Sequence, residues 1–316
     1  MRLTHRDPMP EALRGAVIAL GNFDGFHLGH QKVVAEARGW ARAEGRPLIV
    51  ATFDPHPVRH FAPHVPPFRL TTLDQREELF AAAGADAMLV FAFDDALAAM
   101  SAEDFVTCLL GEHLGAAGVV TGEDFTFGKG RGGNAALLRE IGAAHGIGAR
   151  AIGPVLDRGL PVSSSRIRDC LKAGDLEGAA EMLTRPFTIR AKIQHGDKVG
   201  RDIGYPTANM DMGNYLRPRF GIYAVTARIP GDRPGDERVC QGAANLGIRP
   251  TFDPPKELLE THLFDFTGDL YGKAVDVELR HFLRPEAKFG SLDALVAQMD
   301  KDCERARELL SAPRND

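Results

Sequence analysis

The sequence predicts two domains of different class: a doubly wound parallel α/β sheet first, then a mostly β domain that ends in an amphipathic helix. Three observations carry that reading. Short apolar runs alternate with helical segments through the first part of the chain, the pattern of a parallel sheet covered on both faces. Beyond residue 185, short alternating or β-branched runs follow one another without helical spacers. The 316 residues are also enough for two separate cores. The boundary is set at 184/185, giving domains 1–184 and 185–316.

In the first domain the expected strands are Ala16–Leu20, Pro47–Phe53, Ala87–Phe91, Gly118–Thr121 and Ala149–Ile152. The helices between them are Gly29–Glu44, Asp74–Ala83, Ala102–Leu114 and Ala135–His145, with a short helical linker over Leu171–Leu183. The second domain offers strands at Phe187–Ile193, Gly221–Ile229, Gly242–Leu246, Leu259–Phe266 and Ala274–Leu279. Pro230 to Asp236 is rich in Pro, Gly and Asp and reads as an exposed hairpin tip. The final helix, Leu292–Leu310, sets Leu295, Met299, Cys303, Ala306 and Leu310 on related faces.

Composition excludes several classes. A formal charge of −5 without a Lys/Arg block argues against an extended nucleic-acid footprint. No stretch approaches the ~20 apolar residues of a membrane span, and the first residues lack the apolar core of a signal peptide. Cys108, Cys170, Cys240 and Cys303 form no C-x-x-C pair and read as reduced thiols. The expectation is a soluble cytoplasmic protein with no nucleic-acid or membrane partner; a homo-oligomer is compatible with it.

The densest chemical signal follows the first strand: Gly21-Asn22-Phe23-Asp24-Gly25-Phe26-His27-Leu28-Gly29-His30-Gln31. A helix N-terminus presents unpaired N–H groups and the positive end of the dipole. Gly21, Gly25 and Gly29 let the backbone bend and phosphate oxygens approach. His27 and His30 can then donate to phosphoryl oxygens. A His-x-x-His pair alone is as readily solvated, core or metal-binding; the strand before it, the glycines and Asp24 favour the phosphate reading. With no Glu between the histidines and no ligand cluster nearby, a metal fits less well. The segment is similar to the H-x-G-H signature of nucleotidylyltransferases.

Three further clusters belong to the first domain. Asp54-Pro55-His56-Pro57 ends a strand, where Asp-Pro is also a common turn. Gly122 to Gly133 joins a strand to a basic loop, whose Lys129 and Arg131 suit either phosphate or solvent. Ser163-Ser164-Ser165-Arg166-Ile167-Arg168 combines hydroxyls at a helix start with arginines able to fork onto phosphate.

The second domain carries Gly196-Asp197-Lys198-Val199-Gly200-Arg201-Asp202-Ile203-Gly204, followed by Tyr205-Pro206-Thr207-Ala208-Asn209. In an extended chain Thr207 and Asn209 share a face, and their oxygens suit Mg²⁺ beside phosphates. A glycine-rich hairpin is the plain alternative. Asn245-Leu246-Gly247-Ile248-Arg249-Pro250-Thr251-Phe252 follows, then Glu260-Thr261-His262 within a strand. A carboxylate in an apolar strand needs a partner or a task, which makes Glu260 the base candidate; the other option is exposure on a barrel's outer face.

Taken in order, these motifs resemble the bifunctional riboflavin kinase/FAD synthetases of bacteria over nearly the whole chain. Thr52-Phe53-Asp54-Pro55-His56-Pro57, Asp269-Leu270-Tyr271-Gly272 and Leu283-Arg284-Pro285-Glu286 add to the match. The resemblance implies an α/β Rossmann-like nucleotidylyltransferase domain, then an antiparallel six-stranded β-barrel flavokinase domain with a C-terminal helix. It implies riboflavin, FMN, FAD and ATP as substrates and products, with Mg²⁺. Gly21, Phe23, Asp24, Gly25, Gly29, Ser164, Ser165, Gly196, Lys198, Gly200 and Gly204 would bind ATP or phosphate. Asp54, Pro55, Asp124, Phe125 and Arg249 would contact flavin or nucleotide, and Thr207 and Asn209 the metal. Thr126, Asn134, Ser165 and Tyr205 stand where the family more often has Arg, Asp, Thr and Phe.

The two implied reactions ask for different groups. An alcohol attacking the γ-phosphate of ATP needs a base, Glu260. An FMN phosphate is already an anion, so adenylyl transfer needs only charge stabilisation, assigned to His27, His30, Ser164, Ser165 and Arg168. Two other readings remain: a nucleotidylyltransferase for another phosphorylated metabolite with a non-catalytic flavin-binding barrel, and a flavin-sensing protein without turnover.

Overall fold

Strands buried on both faces organise the first half of the chain. The computed structural model describes residues 1–195, 204–231, 233, 235–249 and 256–312. It divides into two compact units, Met1–Pro66 with Leu73–Ser163 and Pro67–Thr72 with Ser164–Asp316. The first contains β1 (Arg2–Thr4), β2 (Val17–Leu20), α1 (Leu28–Ala43), β3 (Leu48–Asp54), α2 (Pro57–Phe61), α3 (Leu73–Ala82), β4 (Ala87–Ala92), α4 (Asp95–Ala99) and α5 (Ala102–Asp104). After these come β5 (Gly118–Gly122), the short pair β6 (Thr126–Phe127) and β7 (Gly133–Asn134), α6 (Ala135–Ala144), β8 (Gly148–Ile152), and the hairpin β9 (Leu156–Asp157) and β10 (Leu160–Pro161).

Six of these strands form a parallel sheet in the order β1-β4-β3-β2-β5-β8. The chain steps outward from β2 through β3 to β4, then resumes on the other side of β2 with β5 and β8. The order therefore reverses between β2 and β5, the place where ligands bind beyond the carboxyl ends of such sheets. Side chains alternate between two cores. Ile18, Leu20, Ile49, Ala51, Leu89 and Phe91 pack on one face, while Val17, Ala19, Val50, Met88 and Val90 meet Trp40 and Phe80 on the other.

Two strand glycines make room for Trp40. A Cβ at Gly118 would stand 2.3 Å from the indole ring, and one at Gly148 would stand 2.6 Å from it. The indole N–H donates to Glu44 Oε1 at 2.6 Å, and the Arg150 guanidinium lies 4.2 Å above the ring.

The expected strands and helices of this half are present with shifted ends, and three features differ. Arg2–Thr4 adds an edge strand parallel to β4; three residues carry too little pattern to read. The expected helix Ala102–Leu114 keeps α-geometry only to Asp104 and widens to π-type turns over Phe105–His113. The expected linker helix Leu171–Leu183 is instead two helices, because Gly174 takes a φ of 86° and Asp175 caps Gly178 N at 2.9 Å.

The second unit contains α7 (Ser164–Ala173), α8 (Leu176–Leu183), β11 (Phe187–Gln194), β12 (Ala208–Asp211), β13 (Gly221–Pro230), β14 (Glu237–Arg249), β15 (Lys256–Leu263), β16 (Ala274–Arg284) and α9 (Leu292–Ser311). Six antiparallel strands close a barrel in the order β11-β12-β15-β14-β13-β16. Leu259, Met210, Leu246, Tyr223 and Val225 are fully buried in it. β15 ends earlier than the expected Leu259–Phe266, where Asp265 takes a φ of 53° and Phe264 N bonds instead to Gln241 O at 2.8 Å.

The compact units part at Ser163/Ser164, ahead of the 184/185 boundary expected from composition. The reason is packing: α7 meets α8, and α8 lies on β11 and β16. The short segment Pro67–Thr72 also belongs to the barrel unit, where Arg69 N donates to Asn214 O at 3.0 Å and Leu216 N to Arg69 O at 2.8 Å. All four cysteines are free thiols, Cys240 buried and Cys108 exposed.

Replacing Gly118 with Ala should destabilise the first unit by about 1–3 kcal/mol, since Trp40 must be displaced from a packed core. Urea unfolding measures it, and an unchanged midpoint would show that the ring moves freely.

Candidate functional site

The chain leaves β2 through a loop that the rest of the first unit holds in a demanding conformation. Phe23 and Phe26 adopt φ values of 48° and 45°, and Gly25 one of 84°. Left-handed non-glycine residues cost on the order of 1–3 kcal/mol each and persist only where neighbours enforce them. Here Thr52 Oγ1 donates to Asn22 O at 2.7 Å, and Arg76 Nη1 donates to Thr52 Oγ1 at 2.9 Å. Arg76 Nη1 also reaches Asn22 O at 3.4 Å. Thr52 and Arg76 are buried, and Phe23 and Phe26 pack edge-on against Phe80 at 5.8 and 5.2 Å.

That loop delivers both histidines to one place. His27 is buried and forms the cap position of α1; His30 lies in its first turn. Their rings stack at 3.6 Å with 22° between planes, and Phe23 sets its edge against His30 at 5.2 Å. A Cβ at Gly29 would stand 3.1 Å from His27 Cε1, so glycine there leaves the imidazole room. Gln31 Nε2 donates to Phe26 O at 2.9 Å. Gly21, Asp24 and Gly25 complete the loop, Asp24 being buried. Imidazole rings at the start of a 16-residue helix, where the dipole is positive, are groups that can stabilise an anion.

Beside it, phenylalanines gather at the carboxyl ends of β3 and β4 and in the segment after β5. Phe53 stacks on Phe91 at 5.2 Å and lies 6.5 Å from Phe125, which is 6.0 Å from Phe127. Asp54 closes β3, half-buried, with its carbonyl accepting from Phe93 N at 3.1 Å; Pro55 follows, exposed. Asp124 is exposed and Phe125 half-buried, while Lys129 and Arg131 are exposed on a turn. Asn134 caps α6, its Oδ1 accepting from Ala136 N and Leu137 N at 3.0 Å each, so the departure from Asp keeps the capping chemistry.

Sequence reasoning overlooked Arg76 and, apart from Phe125, the aromatic group. The available signals were an arginine inside an otherwise acidic helix start and phenylalanines spaced by two at strand ends.

Ser164, Ser165 and Arg168 belong to the second unit, in the first turns of α7. Arg168 Nε donates to Phe68 O at 2.8 Å, with its guanidinium 5.2 Å from the Phe68 ring.

In the barrel, register gathers the polar residues. Glu260 of β15 pairs across from Asn209 of β12 on one side and from Asn245 of β14 on the other. Leu259 and Thr261 alternate with it and are buried, so Glu260, Asn209 and Asn245 share the barrel's outer face. Glu260 and Asn245 are half-buried and Asn209 is buried. The outer-face position anticipated as the plain alternative for Glu260 is where it lies, but among amides rather than in open solvent. Asn245 Oδ1 is buried with no hydrogen-bond partner among the described residues.

Thr207 directly precedes β12 and lines a cavity of about 310 Å³ with Ile193, Pro206, Ala208, Thr261, Leu263, Phe266, Gly268, Asp269, Leu270 and Tyr271. Thr261 Oγ1, buried at this cavity, has no hydrogen-bond partner among the described residues. The segment before Thr207 is tied down from outside the sheet. Tyr205 Oη donates to Asp300 Oδ1 of α9, a bond that pushes the phenol up to about 12, and His262 Nδ1 meets Pro206 O at 3.0 Å.

Among the described residues no group of three or more His, Cys, Asp or Glu is arranged for a metal ion. Thr207 and Asn209 instead carry hard oxygens of the kind Mg²⁺ takes beside phosphates while keeping several waters. Gly196, Lys198 and Gly200 lie outside the described residues, as do Pro250, Thr251 and Phe252. Gly204 takes a φ of 88°, and Arg249 ends β14 opposite Lys256.

Comparison with known proteins agrees over both halves. Residues 9–166 match the FAD synthetase family and residues 183–310 the riboflavin kinase family. The bifunctional riboflavin kinase/FMN adenylyltransferase of Escherichia coli K12 is 37% identical over 294 residues, covering 93% of this chain and 92% of its own. The proteins of the same name from Pseudomonas fluorescens and Bacillus subtilis are 38% and 36% identical, covering 94% and 92% of this chain and 93% and 91% of their own. A crystal structure described as a macrolide-efflux protein from Streptococcus pneumoniae superposes with a TM-score of 0.84 at 29% identity, covering 97% of this chain and 98% of its own. Among the described residues of the present chain, no helix is long and apolar enough to cross a membrane.

Thr52→Val should lower stability by about 1–3 kcal/mol, because Asn22 O loses the shorter of its two donors and Arg76 one buried acceptor. Thermal unfolding checks it; an unaltered transition would mean the loop does not depend on this hydroxyl.

Proposed function

Because this chain belongs to the bifunctional riboflavin kinase/FMN adenylyltransferase family, whose members phosphorylate riboflavin and adenylylate the FMN produced, we propose that residues 185–316 carry the first reaction and residues 1–184 the second. The observation that carries the kinase assignment is the register of Glu260, opposite Asn209 and Asn245 in neighbouring strands.

In that reaction the riboflavin 5′-hydroxyl oxygen bonds to the γ-phosphorus of ATP, the bond from that phosphorus to the bridging oxygen breaks, and ADP leaves. The hydroxyl proton must go to a base as the new bond forms, and Glu260 is the carboxylate beside the amide group. Thr207 and Asn209 would hold Mg²⁺, which when bound neutralises charge on the phosphates. Thr207 also lines the 310 Å³ cavity, whose apolar side chains and Thr261 Oγ1 offer contacts for substrate.

In adenylyl transfer an FMN phosphate oxygen bonds to the α-phosphorus of a second ATP and pyrophosphate leaves. The nucleophile is an anion with a second pKa of about 6, so no base is required. What the site must supply is donors to the growing negative charge. Stacked His27 and His30 at the start of α1 support that role, with Gly21, Phe23, Asp24, Gly25 and Gly29 shaping the loop. The motif assigns Ser164, Ser165 and Arg168 to the same reaction. Phe125 and the neighbouring phenylalanines give a flavin ring flat apolar contacts, with Asp54, Pro55 and Asp124 at their edge. A cytoplasmic location belongs to the same proposal.

The direct test incubates the protein with riboflavin, ATP and Mg²⁺ and separates the flavins by chromatography. FMN followed by FAD is expected. FMN alone would remove the second assignment, and no FMN would remove the first. Glu260→Ala should lower FMN formation by about 10²–10⁴-fold while FMN-to-FAD conversion stays close to wild type. His27→Ala/His30→Ala should do the reverse; loss of both activities from either folded variant would refute the division of labour. Chelation of Mg²⁺ by EDTA should stop FMN formation, with recovery on adding excess Mg²⁺; undiminished turnover in EDTA would count against Thr207 and Asn209 as metal ligands.

A further inference from the structure

Regular strand pairing begins one residue too late to fix Thr207. The register of β12 with β15 starts at Ala208 opposite Thr261, and Gly204 just upstream sits in a left-handed turn with a φ of 88°. Among the described residues, the contacts that hold Gly204 to Thr207 come from side chains. The Tyr205 hydroxyl donates to Asp300 of α9, and the Pro206 carbonyl meets His262 Nδ1 at 3.0 Å. The Tyr205 and His262 rings also pack at 5.1 Å with 63° between planes, so both contacts belong to one cluster.

Asp300 is presented by a helix that is itself firmly fixed to the barrel. Arg284, at the end of β16, donates to both Asp302 oxygens, through Nε at 2.9 and 3.0 Å and through Nη2 at 2.6 Å. Gln241 Nε2 donates to Leu310 O at 3.2 Å, Arg307 pairs with Asp265 at 2.8 Å, and Ala306 is fully buried. Ser291 caps the start of the helix through Ala294 N at 3.2 Å.

We propose that Tyr205 and Asp300 are positioning residues for the kinase reaction, through which the C-terminal helix sets where Thr207 stands and hence how tightly metal-bound ATP is held. The inference rests on the assignment of Thr207 and Asn209 above. A hydroxyl-to-carboxylate bond is charge-assisted and directional. Neither residue need touch the reacting atoms; their effect passes along two residues of backbone. Loss of uniform binding raises KM and leaves kcat.

The test uses the full chain with Tyr205→Phe, Asp300→Ala and Asp300→Asn. Two quantities are read: KM and kcat for ATP in riboflavin phosphorylation at fixed Mg²⁺, and amide hydrogen exchange of the 205–210 peptide without nucleotide. Tyr205→Phe and Asp300→Ala should raise KM for ATP by about three- to tenfold, the range of one lost hydrogen bond. kcat should change by less than about twofold, and exchange of the peptide should be faster. Asp300→Asn keeps an acceptor oxygen and should stay near wild type in both readouts. Unchanged KM and exchange in Tyr205→Phe, or Asp300→Asn as impaired as Asp300→Ala, would overturn the proposal. A wild-type chain that converts FMN to FAD but makes no FMN would overturn it together with the kinase assignment, whereas an active wild type with a silent Tyr205→Phe overturns this inference alone.

Discussion

The period of two along a β-strand ties the barrel's interior to its chemistry. Leu259 and Thr261 turn inward and are buried; Glu260 between them must then face outward, where antiparallel pairing sets it against Asn209 and Asn245. A slip of one residue would send the carboxylate into the core and Leu259 into water, and the two errors would be penalised together. The packing that makes the barrel stable thus also selects the face on which three polar groups meet.

The same coupling works in the first unit with different parts. A parallel sheet covered on both faces leaves its strand ends as the place where polar chemistry can gather. At the end of β2 the loop through Phe23 and Phe26 is bent into left-handed conformations. A buried arginine and threonine hold it there through Asn22 O. Burying Arg76 would be costly in isolation; its hydrogen bonds to that loop offset part of the cost and rigidify the turn that stacks His27 on His30. Stability and the geometry of the histidine pair therefore draw on one set of contacts.

Long-range ties recur in the barrel unit. Pro67–Thr72 joins it from far upstream in sequence through Asn214 and Leu216, and the last helix returns to the segment before β12 through Asp300. Each brings a remote stretch of chain onto a loop outside the regular strands. Loops so held can keep a ligand geometry that local sequence would leave variable.

Much of this was legible in the residues themselves. Apolar alternation gave the parallel sheet and the later strands, because burial on one or two faces imposes its period directly. Glycine and histidine spacing marked the turn after β2, and the ordered motifs identified the family. Single-sequence patterns did not reveal the edge strand Arg2–Thr4, the break at Gly174, or the membership of Pro67–Thr72 in the barrel unit. Nor did they reveal Arg76 beneath Asn22, or Tyr205 bonded to Asp300, since these pair residues far apart in the chain whose local surroundings are ordinary. Sequence by itself determined which elements form and which chemical groups they carry. Tertiary structure decided which of those groups meet, because hydrogen-bond and packing partners are fixed by distance in space and leave no period along the chain.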